Sequence, residues 1–200
     1  AYHNETRAPW DWRVSGYIWT KSVGTGTFVM AALGAVFATL GDGKISWDVA
    51  SILVSIAFMC LTGVLLIGDL SHPKRFYTIF TRPHWRSWLV RGALLISVYC
   101  LLLGLVLITT LLELVMATRA FQWMGIVLAL LVAIYTAFLF NQAKGRDLWQ
   151  NQWLSVHLLS HTLLAGSAAL SFQGAFITLS DNDTAWIQMA FAIALSVHML

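Results

Sequence analysis

The residues best suited to chemistry lie in one short stretch, Asp69-Leu-Ser-His-Pro-Lys-Arg-Phe76. An acid closes a long apolar run, Pro73 breaks the helix that carries it, and a basic segment follows. Proline ends helices because it lacks an N–H and restricts the residue before it. An acid at the end of a membrane span, beside His72 and Arg75, is placed to take up or release protons near a bound ligand. Ionisable groups at membrane depth are costly and mark a site by default. A plain ion pair of Asp69 with Arg75 or Lys74 is the structural alternative.

Other candidates surround this stretch. Lys21 lies one to two turns into the first apolar run and is followed by Ser22, Gly24, Thr25 and Gly26. Small residues there permit close helix approach. The lysine either snorkels to the interface or serves a site. Tyr135 sits inside the fourth run, where a buried hydroxyl needs a partner. His157 and His161, four apart, share one helix face. With His198 opposite, they would frame a single haem b. Two stacked haems are excluded, because four residues rise only about 6 Å. Hydrogen-bonded histidines, or a proton route with Lys21 and Glu113, is the preferred reading. Cys60 and Cys100 are the only cysteines. An iron–sulfur cluster normally needs four closely spaced thiolates, so no resident cluster or metal site is expected.

The elements that position these residues are membrane helices. Hydrophobic residues make up 58% of the chain and charged residues 10%, with a mean hydropathy of +0.73. Soluble domains carry about one quarter charged residues. A bilayer core needs about 20 apolar residues per helix. By that measure six spans are expected, at 15–40, 47–69, 88–112, 120–141, 153–176 and 184–200. No segment alternates like a barrel strand. The expected fold is all-α, a polytopic transmembrane bundle. Residues 1–14 read as an interfacial segment without the pattern of a cleavable signal peptide. Residues 15–142 read as a first four-helix bundle and 143–200 as the start of a second. The last run is still apolar at Val197-His-Met-Leu200, so a truncated chain with further helices missing is expected.

Alternating spans put residues 1–21, 70–91 and 142–152 on one side. That side holds Arg7, Arg13, Lys21, Lys74, Arg75, Arg82, Arg86, Arg91, Lys144 and Arg146, leaving only Lys44 and Arg119 opposite. The positive-inside rule makes it cytoplasmic, and a docking face for an acidic partner gives the same skew. Loop 70–91 mixes these cations with Phe76, Tyr77, Phe80, His84, Trp85 and Trp88. Its place between two spans argues for an interfacial or docking segment and against nucleic acid.

Four blocks, in order, resemble the NrfD/polysulfide reductase membrane-subunit family. They are Tyr17-Ile-Trp-Thr-Lys-Ser-Val-Gly-Thr-Gly-Thr27, the Asp69–Phe76 stretch, Gly125 to Leu139 around Tyr135-Thr136, and Leu148-Trp-Gln-Asn151 leading into Leu163–Leu170. The second is similar to the family's Asp-Leu-Gly-Arg-Pro-x-Arg-Phe signature, with His72 where arginine is usual. The third is similar to its Leu-x-x-x-Tyr-Thr-Gly-x-Leu span. Where the polysulfide reductase membrane subunit offers an asparagine and a histidine from its first span, Val14 and Tyr17 stand here.

The resemblance implies a multi-pass subunit of a prokaryotic inner-membrane oxidoreductase complex, not catalytic alone. It would hold no covalent cofactor and would bind menaquinone or ubiquinone as substrate. Its implied partners are a ferredoxin-like iron–sulfur subunit, a molybdopterin catalytic subunit or a multihaem cytochrome c, and the lipid bilayer. Asp69 would exchange protons, with His72 as relay. Tyr135 and Tyr17 would donate hydrogen bonds to the quinone, and Lys21 and Arg75 would tune the acid. The alternatives are a redox-coupled proton-translocating subunit, with Lys21, Glu113, His157 and His161 on its route, and a haem b membrane anchor subunit.

Overall fold

The computed structural model describes residues 12–37, 45–69, 77–81, 84, 85, 87–141, 153–176 and 181–199. His72, Arg75, the 38–44 connection and the basic segment 142–152 lie outside the described residues. The described residues form six long helices and one helical turn: α1 (Trp12–Phe37), α2 (Ile45–Asp69), α3 (Thr78–Thr81), α4 (Trp88–Leu111), α5 (Val115–Asn141), α6 (Leu154–Gly174) and α7 (Asp181–Met199). No strand occurs among the described residues. The fold is the expected helical bundle.

Helix α1 is its axis. Every residue from Thr20 to Ala32 is buried. It packs against α2, α5 and α6, and touches α7 where Gly34 meets Trp186. Helix α4 packs on α2 and α5, so α1, α2, α4 and α5 close a ring, while α6 and α7 extend it beyond α1. The core joins Phe28 and Val29 of α1 to Met59, Tyr99, Leu103, Val106, Ala129 and Val132. Phe28 meets Tyr99 edge to face at 6.0 Å, the arrangement that aromatic quadrupoles favour.

The bundle is apolar outside and partly polar inside. Val64, Leu101, Ile108, Met116 and Val127 are exposed, and such large unpaired apolar surface belongs in lipid. Helices α2 (from Val49), α4, α5 and α6 are long and apolar enough to cross a membrane. Helix α1 falls short of that measure because it carries Thr20, Lys21, Ser22, Thr25 and Thr27, which are buried against neighbouring helices. Their hydroxyls are satisfied within the bundle: Thr25 donates to Lys21 O at 2.7 Å, Thr27 to Val23 O at 2.7 Å, and Thr62 of α2 to Thr20 at 2.9 Å. A hydroxyl left unbonded in hydrocarbon would cost several kcal/mol.

Two local features set the packing. Gly26 of α1 and Gly166 of α6 cross backbone to backbone, and a Cβ built on Gly166 would sit 2.6 Å from Gly26 Cα. Ser22 and Thr162 meet at the same crossing, at 3.4 Å. Helix α4 ends in a tight turn in which Leu114 N–H bonds Thr109 O and Glu113 N–H bonds Thr110 O. This is a Schellman cap, with Glu113 at the left-handed position, φ 56°, that usually takes glycine. Helix α5 accordingly starts at Val115, ahead of the span expected from residue 120.

Gly26→Val should lower thermal stability by about 1–3 kcal/mol or more, since overpacking has no room to relax between two backbones. A melt of the detergent-purified protein checks this, and an unchanged melting temperature counts against the crossing. Glu113→Gly should raise stability by roughly 1 kcal/mol by removing a left-handed non-glycine residue, read in the same melt.

Candidate functional site

The site is built outward from Lys21. Its side chain is 0% exposed and does not snorkel. The Nζ donates to Thr136 Oγ1 at 2.7 Å and to Ala133 O at 3.0 Å, and lies 5.1 Å from the centroid of the Tyr135 ring. Short bonds to a charged donor are stronger than neutral ones, and a cation over an aromatic face adds to them. Helix α5 can offer both acceptors because Ala133 has no bulk to cover its own carbonyl. The adjacent Thr136 turns its hydroxyl to the same place. Among the described residues, no carboxylate reaches the amine.

Tyr135 is 4% exposed, and its hydroxyl is buried with no hydrogen-bond partner among the described residues. Its ring lies against Gly92 of α4, where a Cβ would come within 2.7 Å of Cδ2. Only glycine leaves that space. Tyr17, one turn before Lys21, is buried with Val14 and Phe140. It stands within electrostatic range of both Tyr135 and Asp69.

Asp69 is the last residue of α2 and is exposed. Arg13 of α1 donates to the neighbouring Gly68 O at 2.6 Å, which places a cation at the negative end of the α2 dipole. On the flank, Arg91 donates to Trp85 O at 2.6 Å and stacks on Trp88, which itself stacks on Phe138 at 4.9 Å. Phe138 is one turn from Tyr135, so this cationic-aromatic edge borders the same end of the bundle.

Lys21, Tyr17, Tyr135 and Asp69 therefore meet at one end. The histidines form a second group between α6 and α7. His157 and His198 stack at 4.7 Å, His161 lies 5.8 Å from His198, and Ser160 Oγ is 3.2 Å from His198 Nδ1. His161 Nδ1 is buried without a partner among the described residues and lies in electrostatic range of Lys21. The rings stack on one another and do not face each other across a gap the width of a macrocycle. Among the described residues, no set of three or more His, Cys, Asp or Glu converges on a point that could hold a metal ion. Glu113 is exposed on the turn at the far end. It is separated from Tyr135 by most of α5, roughly 30 Å of helix.

Sequence reading missed the supports of the site: Thr136, Ala133 and Gly92. Thr136 had a signal, since a threonine next to a membrane tyrosine can accept from a neighbouring helix. Gly92 had none, because its partner lies on another helix.

An α-helical bundle with an apolar rim and a buried cationic site defines a multi-pass membrane protein. The chain belongs to the NrfD family: the model described as "Polysulphide reductase, NrfD" matches residues 2–197. Members of this family are membrane subunits of respiratory oxidoreductases and assemble with iron–sulfur and molybdopterin subunits. No curated protein and no solved structure matches the chain.

A double-mutant cycle checks the Lys21 contact. Thr136→Val should cost about 1.5–3 kcal/mol, the worth of a hydrogen bond to a charged group. In the Lys21→Met background it should cost less than half as much. Equal costs in both backgrounds would mean that the two side chains are not coupled.

Proposed function

We propose that this chain is the quinone/quinol-binding subunit of a respiratory oxidoreductase, exchanging electrons between the quinone pool and an iron–sulfur partner. The observation that carries this reading is the Tyr135 hydroxyl. It is buried and unpartnered, beside a lysine that is itself sealed from solvent. A buried donor without an acceptor is costly, and a ring carbonyl oxygen supplies the missing one. The flanking surface is aromatic and lipid-facing, which suits a hydrophobic substrate that arrives through the bilayer.

Quinol oxidation releases two electrons and two protons, and reduction takes them up. The subunit must hold a ring oxygen and provide a proton path to water. Tyr135 donates to the oxygen, and Tyr17 is placed to assist from α1. Asp69, exposed at the end of α2, exchanges protons with the aqueous side, with His72 and Arg75 of the following segment beside it in sequence. A partner subunit's iron–sulfur cluster accepts or supplies the electrons one at a time. The aromatic and basic edge at Trp85, Trp88 and Arg91 supports docking at this end. Menaquinone and ubiquinone both fit the requirement for a carbonyl acceptor. Residence in the inner membrane of a prokaryotic cell follows from the family reading.

Two variants test the reading in the assembled complex, with menadiol and decylubiquinol as substrates. Tyr135→Phe should lower quinol turnover about tenfold or more, the worth of a hydrogen bond made to the reacting oxygen. Asp69→Asn should abolish turnover while assembly survives. Wild-type turnover in both variants would remove quinone chemistry from this end of the bundle.

A further inference from the structure

Resting on that reading, we infer that Gly92 of α4 and Lys21 of α1 are its positioning residues. They hold the Tyr135 ring so that its hydroxyl is aimed at the quinone oxygen, and neither touches the quinone. The need for such a hold comes from the hydroxyl, which is buried with no hydrogen-bond partner among the described residues. A buried phenol is usually oriented by the bond its O–H makes. Here no such bond fixes the direction, so the packing around the ring has to.

Gly92 supplies the closer hold. It is buried one turn into α4. A Cβ there would come within 2.7 Å of Tyr135 Cδ2 and 2.9 Å of Cζ, with Cε2 nearer still. Cζ bears the hydroxyl, so the α4 backbone lies against the part of the ring that points the O–H. Carbon atoms pack at about 3.5–4.0 Å, so a methyl group at position 92 demands a shift of roughly 1 Å.

Helix α4 is pinned on both sides of this contact. Trp88, one turn before Gly92, stacks at 4.9 Å on Phe138, which lies one turn beyond Tyr135. Arg91 stacks on Trp88 and donates to Trp85 O, tying that rung to the segment before the helix. One turn deeper, Ile96 of α4 and Val132 of α5 are buried in the same apolar cluster. Added bulk at position 92 therefore displaces the ring rather than the helix.

Lys21 supplies the second hold. Its amine lies over the Tyr135 ring, 5.1 Å from the centroid, and is itself fixed by Thr136 Oγ1 and Ala133 O of the helix that carries the tyrosine. A cation attracts the face of an aromatic ring. The amine therefore steadies the ring through its face and leaves the O–H to an incoming carbonyl.

The test is a double-mutant cycle on menadiol turnover by the membrane-embedded complex, normalised to assembled complex. Gly92→Ala should slow turnover about tenfold, as much as Tyr135→Phe does, because a misplaced hydroxyl is worth no more than a missing one. In the Tyr135→Phe background it should cost less than about twofold more. Gly125→Ala is the matched comparison. A Cβ at Gly125 would meet Phe28 Cε1 and Cζ at 2.6 Å, in the apolar core about 15 Å along α5 from Tyr135. It should lower the melting temperature and leave turnover at the wild-type level. If Gly92→Ala does not assemble, Lys21→Met decides by the same cycle, since it withdraws the hold from α1 without adding bulk. Wild-type turnover in Gly92→Ala, losses that multiply with Tyr135→Phe, or an equal loss in Gly125→Ala overturns the inference. The quinone reading then stands on the loss in Tyr135→Phe alone. Wild-type turnover in Tyr135→Phe overturns both.

Discussion

A lysine amine sealed at membrane depth on the central helix is the constraint around which the bundle is arranged. Hydrocarbon offers the Lys21 amine nothing, so the protein must supply its acceptors. They come from α5, as the Ala133 carbonyl and the Thr136 hydroxyl. That choice brings α5 against α1 and turns the Tyr135 ring toward α4. There only Gly92 leaves it room. Three helices are registered by one amine and the ring beside it.

The rest of α1 follows the same logic. Its hydroxyls bond their own carbonyls or each other, and its glycines let α6 approach to backbone contact. A helix enclosed in this way need not be apolar, because protein rather than lipid surrounds it. The apolar load shifts to α2, α4, α5 and α6, whose outer faces carry the exposed Leu, Ile, Val and Met side chains. The exterior is apolar, and the interior combines an apolar core with the hydroxyls and amine of α1.

The up-and-down path also has a chemical consequence. It gathers the N-terminus of α1 with the C-termini of α2 and α5, and so assembles Tyr17, Lys21, Asp69 and Tyr135 at one end of the membrane. The opposite end closes with a turn whose Glu113 takes up a backbone position and faces solvent. The proposed proton chemistry therefore concerns one face of the bundle. The histidines of α6 and α7 form a separate cluster on the same side.

Composition and the lengths of the apolar runs determined the membrane class and located the six helices, four of which are long and apolar enough to cross a membrane on their own. The blocks around Asp69 and Tyr135 pointed to the family, and Tyr17, Lys21, Asp69 and Tyr135 were legible as candidates from residue type and depth. What each side chain touches was decided only by tertiary structure. Lys21 reads equally as snorkelling or buried until α5 is placed beside it. Gly92 is an ordinary small residue until the Tyr135 ring lies against it, and nothing in the sequence marks Glu113 as the left-handed position of a helix cap. The physical reason is that hydropathy sums along one helix, whereas a hydrogen bond or a steric fit needs two helices in register. That register is set by contacts between residues more than a hundred positions apart, such as Lys21 with Thr136 and Gly26 with Gly166.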